Sequence, residues 1–200
     1  DDGGLSDGTD FILTVDPVND APVLTEIDSQ STVEDSPQTI TVSSTDVDTG
    51  TGPGDENVSL YSTVSSNPGD VDVFVDGDQL TMTPSLNFHG EVTITVTVTD
   101  DGGLSDNTDF VLTVDPVNDA PVLTEIDSQS TDEDNPHTIT VSSTDVDTGT
   151  GPGDENVLTY GAESSNPDEV SVTMDGTQLT MTPSSNFHGE VTIIVTVTDD

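Results

Sequence analysis

The sequence predicts an all-β fold: tandem seven-stranded Greek-key β-sandwiches following one another in a linear rod. Three observations carry this. Apolar and polar residues alternate with a period of two in short runs, as in Val92-Thr93-Ile94-Thr95-Val96-Thr97-Val98-Thr99. The whole pattern recurs after 99 residues. Gly-, Pro- and Asp-rich turns separate the runs, and nothing between them has a helical period.

The recurrence sets the domain plan. Asp1-Asp2-Gly3-Gly4-Leu5-Ser6-Asp7 returns as Asp100-Asp101-Gly102-Gly103-Leu104-Ser105-Asp106, and Asn87-Phe88-His89-Gly90 returns as Asn186-Phe187-His188-Gly189. Both pairs share one offset, so no insertion separates the copies. A unit of about 100 residues is the size of one β-sandwich. Residues 1–17 read as the last strand of a preceding repeat, 18–116 as a complete repeat, and 117–200 as a second repeat lacking its last strand.

Within the complete repeat the strands are expected at 23–28, 37–44, 58–65, 71–76, 79–84, 91–99 and 108–115. Val23 to Ile27 opens the series, and Ile40 and Val42 give the second strand one apolar face. Val58 to Tyr61 starts the third; Val71 and Val73 mark the fourth, and Leu80 and Met82 the fifth. Asp76-Gly77 between these last two is a tight-turn signal. The threonine-backed run from Val92 is the sixth, and Phe110, Leu112 and Val114 give the seventh its inward face. Seven short strands with regular turns point to a sandwich of immunoglobulin-like type.

Between the repeats stands Asp115-Pro116-Val117-Asn118-Asp119-Ala120-Pro121, which also occurs at Asp16 to Pro22. Its two prolines fix φ and remove two amide donors, so neither a helix nor a central strand can run through it. Alternating strand directions place the loop with Glu34 and Asp35 at one end of a unit. The loops with Asp46 and Asp48, and with Asp100 and Asp101, fall at the other. Carboxylates from the lower end of one unit, the joint, and the upper end of the next are thereby expected to converge. Like charges at such a point repel unless a cation sits among them.

Composition sharpens that expectation. The chain has 200 residues, 41 Asp and Glu, no Lys or Arg and three His, for a formal charge of −41. Nucleic acid and anionic membrane surfaces recruit basic patches, so neither is an expected partner. No apolar run approaches membrane-spanning length, so insertion is not expected either. Hydrophobic residues make up only 29% of the chain, a balance that leans towards disorder unless the charge is neutralised. Bound cations or high salt would each do so. With no Cys, disulfides and thiolate sites are excluded, which leaves metal ions as the obvious cross-link.

These motifs resemble the cadherin-like tandem repeats of large bacterial surface proteins and adhesins. The Asp-Pro-Val-Asn-Asp-Ala-Pro joint is similar to the cadherin linker Asp-x-Asn-Asp-Asn-x-Pro. Thr45-Asp46-Val47-Asp48-Thr49-Gly50 is similar to the cadherin Asp-x-Asp segment, and Val98-Thr99-Asp100-Asp101-Gly102 to its Ala-x-Asp-x-Gly. Val33-Glu34-Asp35-Ser36-Pro37 and Asn87-Phe88-His89-Gly90 match the bacterial repeats better than the animal ones. The resemblance implies a rod with Ca²⁺-stiffened joints. At the joint between the copies it implies as ligands Glu34, Asp115, Asn118, Asp119, Asp145, Asp147 and Asp199. Upstream it implies Asp16, Asn19, Asp20, Asp46, Asp48 and Asp100. One departure stands out: animal cadherins carry Asp-Arg-Glu where this chain reads Asn87 to Glu91, which puts one ion of the usual cluster in doubt.

Other residues take plainer readings. Asp76 and Asp78 read as turn formers, and His89 and His188 as turn residues beside a glycine. His137 has no counterpart, because the first copy has Gln38 there. Asn57-Val58-Ser59 is a glycosylation sequon that the second copy lacks. No constellation of Ser, His and Asp is brought together by the strand map, so no enzyme is expected. The expected role is mechanical: a calcium-stiffened segment of an extracellular fibre, stalk or adhesin whose partners are neighbouring repeats. Two alternatives stay open, a carbohydrate-binding module using the threonine faces for surface glycans and a salt-adapted surface protein. The spare strand-like run Thr9 to Val15 has two readings: a window on a longer repeat array, or head-to-tail assembly by strand complementation.

Overall fold

A computed structural model describes residues 3–48, 60–147 and 158–199. The chain divides into two units, Asp1–Val114 and Asp115–Asp200. Among the described residues all regular structure is β, and no helix is long and apolar enough to cross a membrane.

Among the described residues of the first unit the strands are β1 (Val23–Leu24), β2 (Gln30–Val33), β3 (Gln38–Thr41), β4 (Ser44–Thr45), β5 (Leu60–Ser65), β6 (Val71–Asp76), β7 (Gln79–Pro84), β8 (Gly90–Thr99) and β9 (Ser105–Asp115). One sheet has the order β2-β9-β8-β5, the other β3-β7-β6, and β1 pairs with β4 beside them. Apolar residues of both sheets face inward and meet in one core. Leu80 and Met82 of β7, Ile94 and Val96 of β8, and Leu112 of β9 are fully buried there. Each such side chain contributes about 1.5–3 kcal/mol of burial. Tyr61 of β5 spans the gap to β4, its hydroxyl 2.8 Å from Ser44 Oγ.

Two expected strands are broken. Of the run expected at 23–28 only Val23–Leu24 pairs, as β1 with β4; the chain then crosses to the other sheet, where β2, outside every expected strand, joins β9. Gln30 Nε2 donates to Asp28 O (2.9 Å) at the crossing. The strand expected at 37–44 breaks at Val42-Ser43. There Val42 N donates to Asp78 O and Thr25 N to Ser43 O, both at 2.9 Å, instead of continuing a single ladder. The 71–76 and 79–84 expectations hold as β6 and β7, and Gly77 takes the positive φ (60°) their turn requires. β9 starts three residues before its expected start, because Ser105 to Asn107 keep pairing with Thr99 to Thr97. Residues 58 and 59 and the sequon at 57–59 lie outside the described residues.

Residues 4–22 form no strand, against the expectation that 1–17 would be one. An isolated strand has no ladder partner for its amides and carbonyls, so nothing fixes it. Phe11 is 86% exposed, Ile12 94%, Leu13 76% and Val15 82%.

The second unit has β10 (Val122–Leu123), β11 (His137–Thr140), β12 (Ser143–Thr144), β13 (Thr159–Ser164), β14 (Val170–Asp175), β15 (Gln178–Pro183) and β16 (Ile193–Thr198). Its sheets are β11-β15-β14, β13-β16 and the pair β10-β12. The Tyr–Ser link repeats, with Tyr160 OH 2.7 Å from Ser143 Oγ. Among the described residues it has no counterpart of β2 or β9. Gln129 to Asp132, which stand where Gln30 to Val33 form β2, lack that strand's partner and stay irregular. Leu179 remains buried, but Val191, Ile193, Val195 and Val197 are half-buried, whereas their counterparts in β8 are 0–3% exposed. An open groove of about 970 Å³ runs along this row, lined by Ile126, Met181, Phe187, Val191, Ile193 and Val195 among others.

Candidate functional site

In the first unit the turn joining β8 to β9 is closed by backbone bonds between Asp100 and Leu104 and between Gly103 and Asp100. Gly103 takes φ of 87°, which suits a residue without Cβ. The turn tucks the Asp100 side chain inward, where it is 6% exposed. Asp100 Oδ1 accepts from Leu104 N at 2.8 Å, and Oδ2 accepts from Asn19 Nδ2 at 3.0 Å. The next residue, Asp20, donates its backbone N–H to Asp48 Oδ2 at 2.5 Å. Asp48 N in turn donates to Asp46 Oδ1 at 3.0 Å, the local turn that an Asp-x-Asp sequence forms. Adjacent joint residues Asn19 and Asp20 therefore tie together the loop after β4 and the loop after β8. Packing there is tight, since a Cβ on Gly102 would run into the Asn19 amide.

The second unit builds the same arrangement from different residues. Asn118 Nδ2 donates to Asp199 Oδ2 at 3.1 Å, Asp119 N to Asp147 Oδ2 at 2.5 Å, and Asp147 N to Asp145 Oδ1 at 3.0 Å. Asp147 is 4% exposed. Sequence reasoning named all ten of these residues, and each set of five comes together within its own unit. Asp16 and Asp115 are exposed. Glu34 is 3% exposed and follows β2, at the end of the first unit away from Asp100; its neighbour Asp35 accepts from Asn87 N at 2.9 Å just before β8. One carboxylate was missed. Asp106 Oδ2 accepts from Leu24 N at 2.9 Å and pins β1 to β9. Its recurrence in the Asp-Asp-Gly-Gly-Leu-Ser-Asp motif was the available signal.

The donor set suits a hard divalent cation: carboxylate and amide oxygens, with no sulfur or basic side chain near them. Two oxygens, Asn19 Oδ1 and Asp46 Oδ2, are buried without a hydrogen-bond partner, and such atoms are costly to leave unsatisfied. Asp46 Oδ1, Asp48 Oδ2 and Asp100 Oδ1 accept from backbone amides, and Asp100 Oδ2 from the Asn19 side-chain amide. Among the described residues no three His, Asp or Glu side chains stand in a ready ion-binding group. Like charges about 4 Å apart repel by about 4 kcal/mol at an effective dielectric near 20, and this chain has no Lys or Arg to offset them. The outward threonines spend hydroxyls on each other, as between Thr39 and Thr81 and between Thr138 and Thr180, both at 2.9 Å.

Comparison with curated proteins returned no match. Among solved structures the chain is similar to protocadherin gamma B7 extracellular cadherin domains 1–4, at 20% identity over 90% of this chain and 48% of that one, with a TM-score of 0.43. It is similar to PcdhgB3 EC1-4 at 15% identity over 88% and 45%, with a TM-score of 0.48. A Bacteroides ovatus protein, SGBP-B in complex with mixed-linkage heptasaccharide, is similar at 12% identity over 90% and 46%, with a TM-score of 0.35. The chain thus spans a little under half the length of each of these proteins. The family model of the bacterial Ig domain matches residues 19–113 and again residues 118–200, one match for each repeat. With both repeats matched in this way, the chain belongs to the bacterial Ig domain family.

Proposed function

We propose that the chain is a non-catalytic, calcium-stiffened segment of an extracellular fibre, stalk or adhesin. The observation that carries the calcium reading is the duplicated cluster. Asn19, Asp20, Asp46, Asp48 and Asp100 come together in one unit, and Asn118, Asp119, Asp145, Asp147 and Asp199 repeat them in the next. The buried oxygens Asn19 Oδ1 and Asp46 Oδ2 support it. Ca²⁺ would supply charge neutralisation and six to eight oxygen contacts. The chain's own part is to hold a Pro-bounded joint against two loops through the Asn19 amide and the Asp20 N–H. The threonine faces favour glycan binding less, because cross-strand pairing already occupies the hydroxyls of Thr39, Thr81, Thr138 and Thr180.

Isothermal titration calorimetry tests this. The native chain should bind Ca²⁺ saturably in a background of monovalent salt. Asp46→Asn/Asp48→Asn combined with Asp145→Asn/Asp147→Asn should weaken binding by roughly tenfold or more, because affinity follows ligand charge count. Equal heats from native and four-fold variant would remove the calcium assignment.

A further inference from the structure

We propose that the side of the first unit formed by β5 and β6 is a docking surface for a basic, extended segment of a different protein. The inference goes beyond the calcium reading, because none of its residues belongs to the joint clusters.

Among the described residues β5 and β6 are the outer strands of opposite sheets, β5 beside β8 and β6 beside β7. The chain turns between them at residues 66–70, where Asp70 N and Val71 N both donate to Asn67 O at 3.1 Å. The two strands then run close together along one side of the sandwich. Alternation sends Tyr61, Val71 and Val73 towards the core and leaves Leu60, Val64 and Phe74 facing out, at 69%, 65% and 65% exposure. Grouped exposed apolar side chains of this kind mark interaction sites.

The second unit shows that these three side chains are not needed to form the strands. Its β13 and β14 keep the inward residues as Tyr160, Val170 and Val172, but carry Thr159, Glu163 and Thr173 at the outward positions. Asp72 likewise has Ser171 as its counterpart. The two copies share a core here and differ in the surface laid over it.

Phe74 stands in one outward row between Asp72 and Asp76, with successive side chains about 6.4–6.8 Å apart along the strand. A ring flanked by two carboxylates suits cationic side chains, which are drawn by the ring face as well as by the charges. The chain has no Lys or Arg to place there, and a second copy would bring a further formal charge of −41. The cation must therefore come from another protein. An extended segment repeats the spacing of β6, so a basic-x-apolar-x-basic pattern sets its basic residues against Asp72 and Asp76 and its apolar residue against Phe74. Leu60 and Val64 supply the apolar border. A neutral glycan is served less well, because the carboxylates only accept. Thr81, opposite Phe74, has its hydroxyl bonded to that of Thr39 at 2.9 Å.

The test is titration of the isotope-labelled chain, with Ca²⁺ present, by the blocked peptide Thr-Arg-Thr-Leu-Thr-Arg-Thr, read from amide chemical shifts. Saturable shifts are expected at residues 60–65 and 71–76, with the matching residues 159–164 and 170–175 unmoved. The same peptide with Glu in place of Arg should shift neither set. Phe74→Thr, which installs the residue the second unit already carries, should keep the native spectrum elsewhere and weaken binding roughly threefold to tenfold. Asp72→Asn/Asp76→Asn should weaken it as much and remove most of its salt dependence. Conversely, Ser171→Asp/Thr173→Phe should make residues 170–175 respond to the arginine peptide. Shifts spread equally over both units would mean general attraction of a polycation to an acidic chain, and would overturn the proposal. Unchanged binding by Phe74→Thr, equal binding of the glutamate peptide, or no shift at β5 and β6 would overturn it too. Shifts there from maltoheptaose, lost in Phe74→Thr and not produced by the arginine peptide, would assign the surface to a glycan instead.

Discussion

Moving the chain from EGTA into Ca²⁺ at about a hundredfold excess over its dissociation constant is expected to raise the melting temperature by roughly 10–20 °C. The estimate has two parts. A ligand that binds only the folded state adds about 2.7 kcal/mol at that excess. In a domain of about 60–100 residues each kcal/mol is worth about 4–8 °C. On the calcium proposal the gain would come from Asp46, Asp48 and Asp100 and their counterparts Asp145, Asp147 and Asp199, whose oxygens would exchange mutual repulsion for a shared cation. Potassium chloride of matched ionic strength screens the charges without coordinating them, and should raise the midpoint by only a small part of that amount. Differential scanning fluorimetry with hydrophobic dye, repeated by circular dichroism, reads the shift. Equal rescue by potassium chloride would identify general salt adaptation instead.

Leu80→Ala and Leu179→Ala should each lower one calorimetric transition and leave the other in place. Both leucines sit on the central strand of a three-stranded sheet, Leu80 opposite Ile40 and Val75, Leu179 opposite Ile139 and Met174. Their exposures are 0% and 1%. Truncating a leucine buried to that degree costs about 2–5 kcal/mol, against about 5–15 kcal/mol for a whole domain. A fall of about 10 °C or more in the affected transition is the expected size. The native chain should show two transitions, with the lower belonging to the second unit, whose row Val191 to Val197 is half-buried. Both transitions falling together after either substitution would mean that the units do not unfold separately.

Much of this architecture was legible because alternation is local. Val92 to Thr99 announces a strand and its inward face without reference to anything else, and Asp76-Gly77 announces the turn between β6 and β7. The early end of the first expected strand and the crossing to β2 at Gln30–Val33 were not legible, because a period of two says which side chains share a face and not which sheet the backbone joins. Ser105 to Asn107 extend β9 through ladder bonds alone, with no apolar residue to signal it. The candidate site was legible through recurrence, since each Asp-x-Asp and each Asn-Asp returned at the same offset. Asp106 was hidden because it acts through a single backbone amide, Leu24 N, that no side-chain pattern encodes.

The one-sided pairing of β16 has a consequence in time rather than in shape. Among the described residues β8 is bonded on both flanks, by β5 and β9, while β16 is bonded to β13 alone. Alternate amides along β16 therefore face solvent, and their exchange with deuterated water needs no opening of the sheet, whereas the matching amides of β8 must wait for β9 to leave. Two stretches nearly identical in sequence thus keep different clocks, and the difference is set by what lies beside each strand.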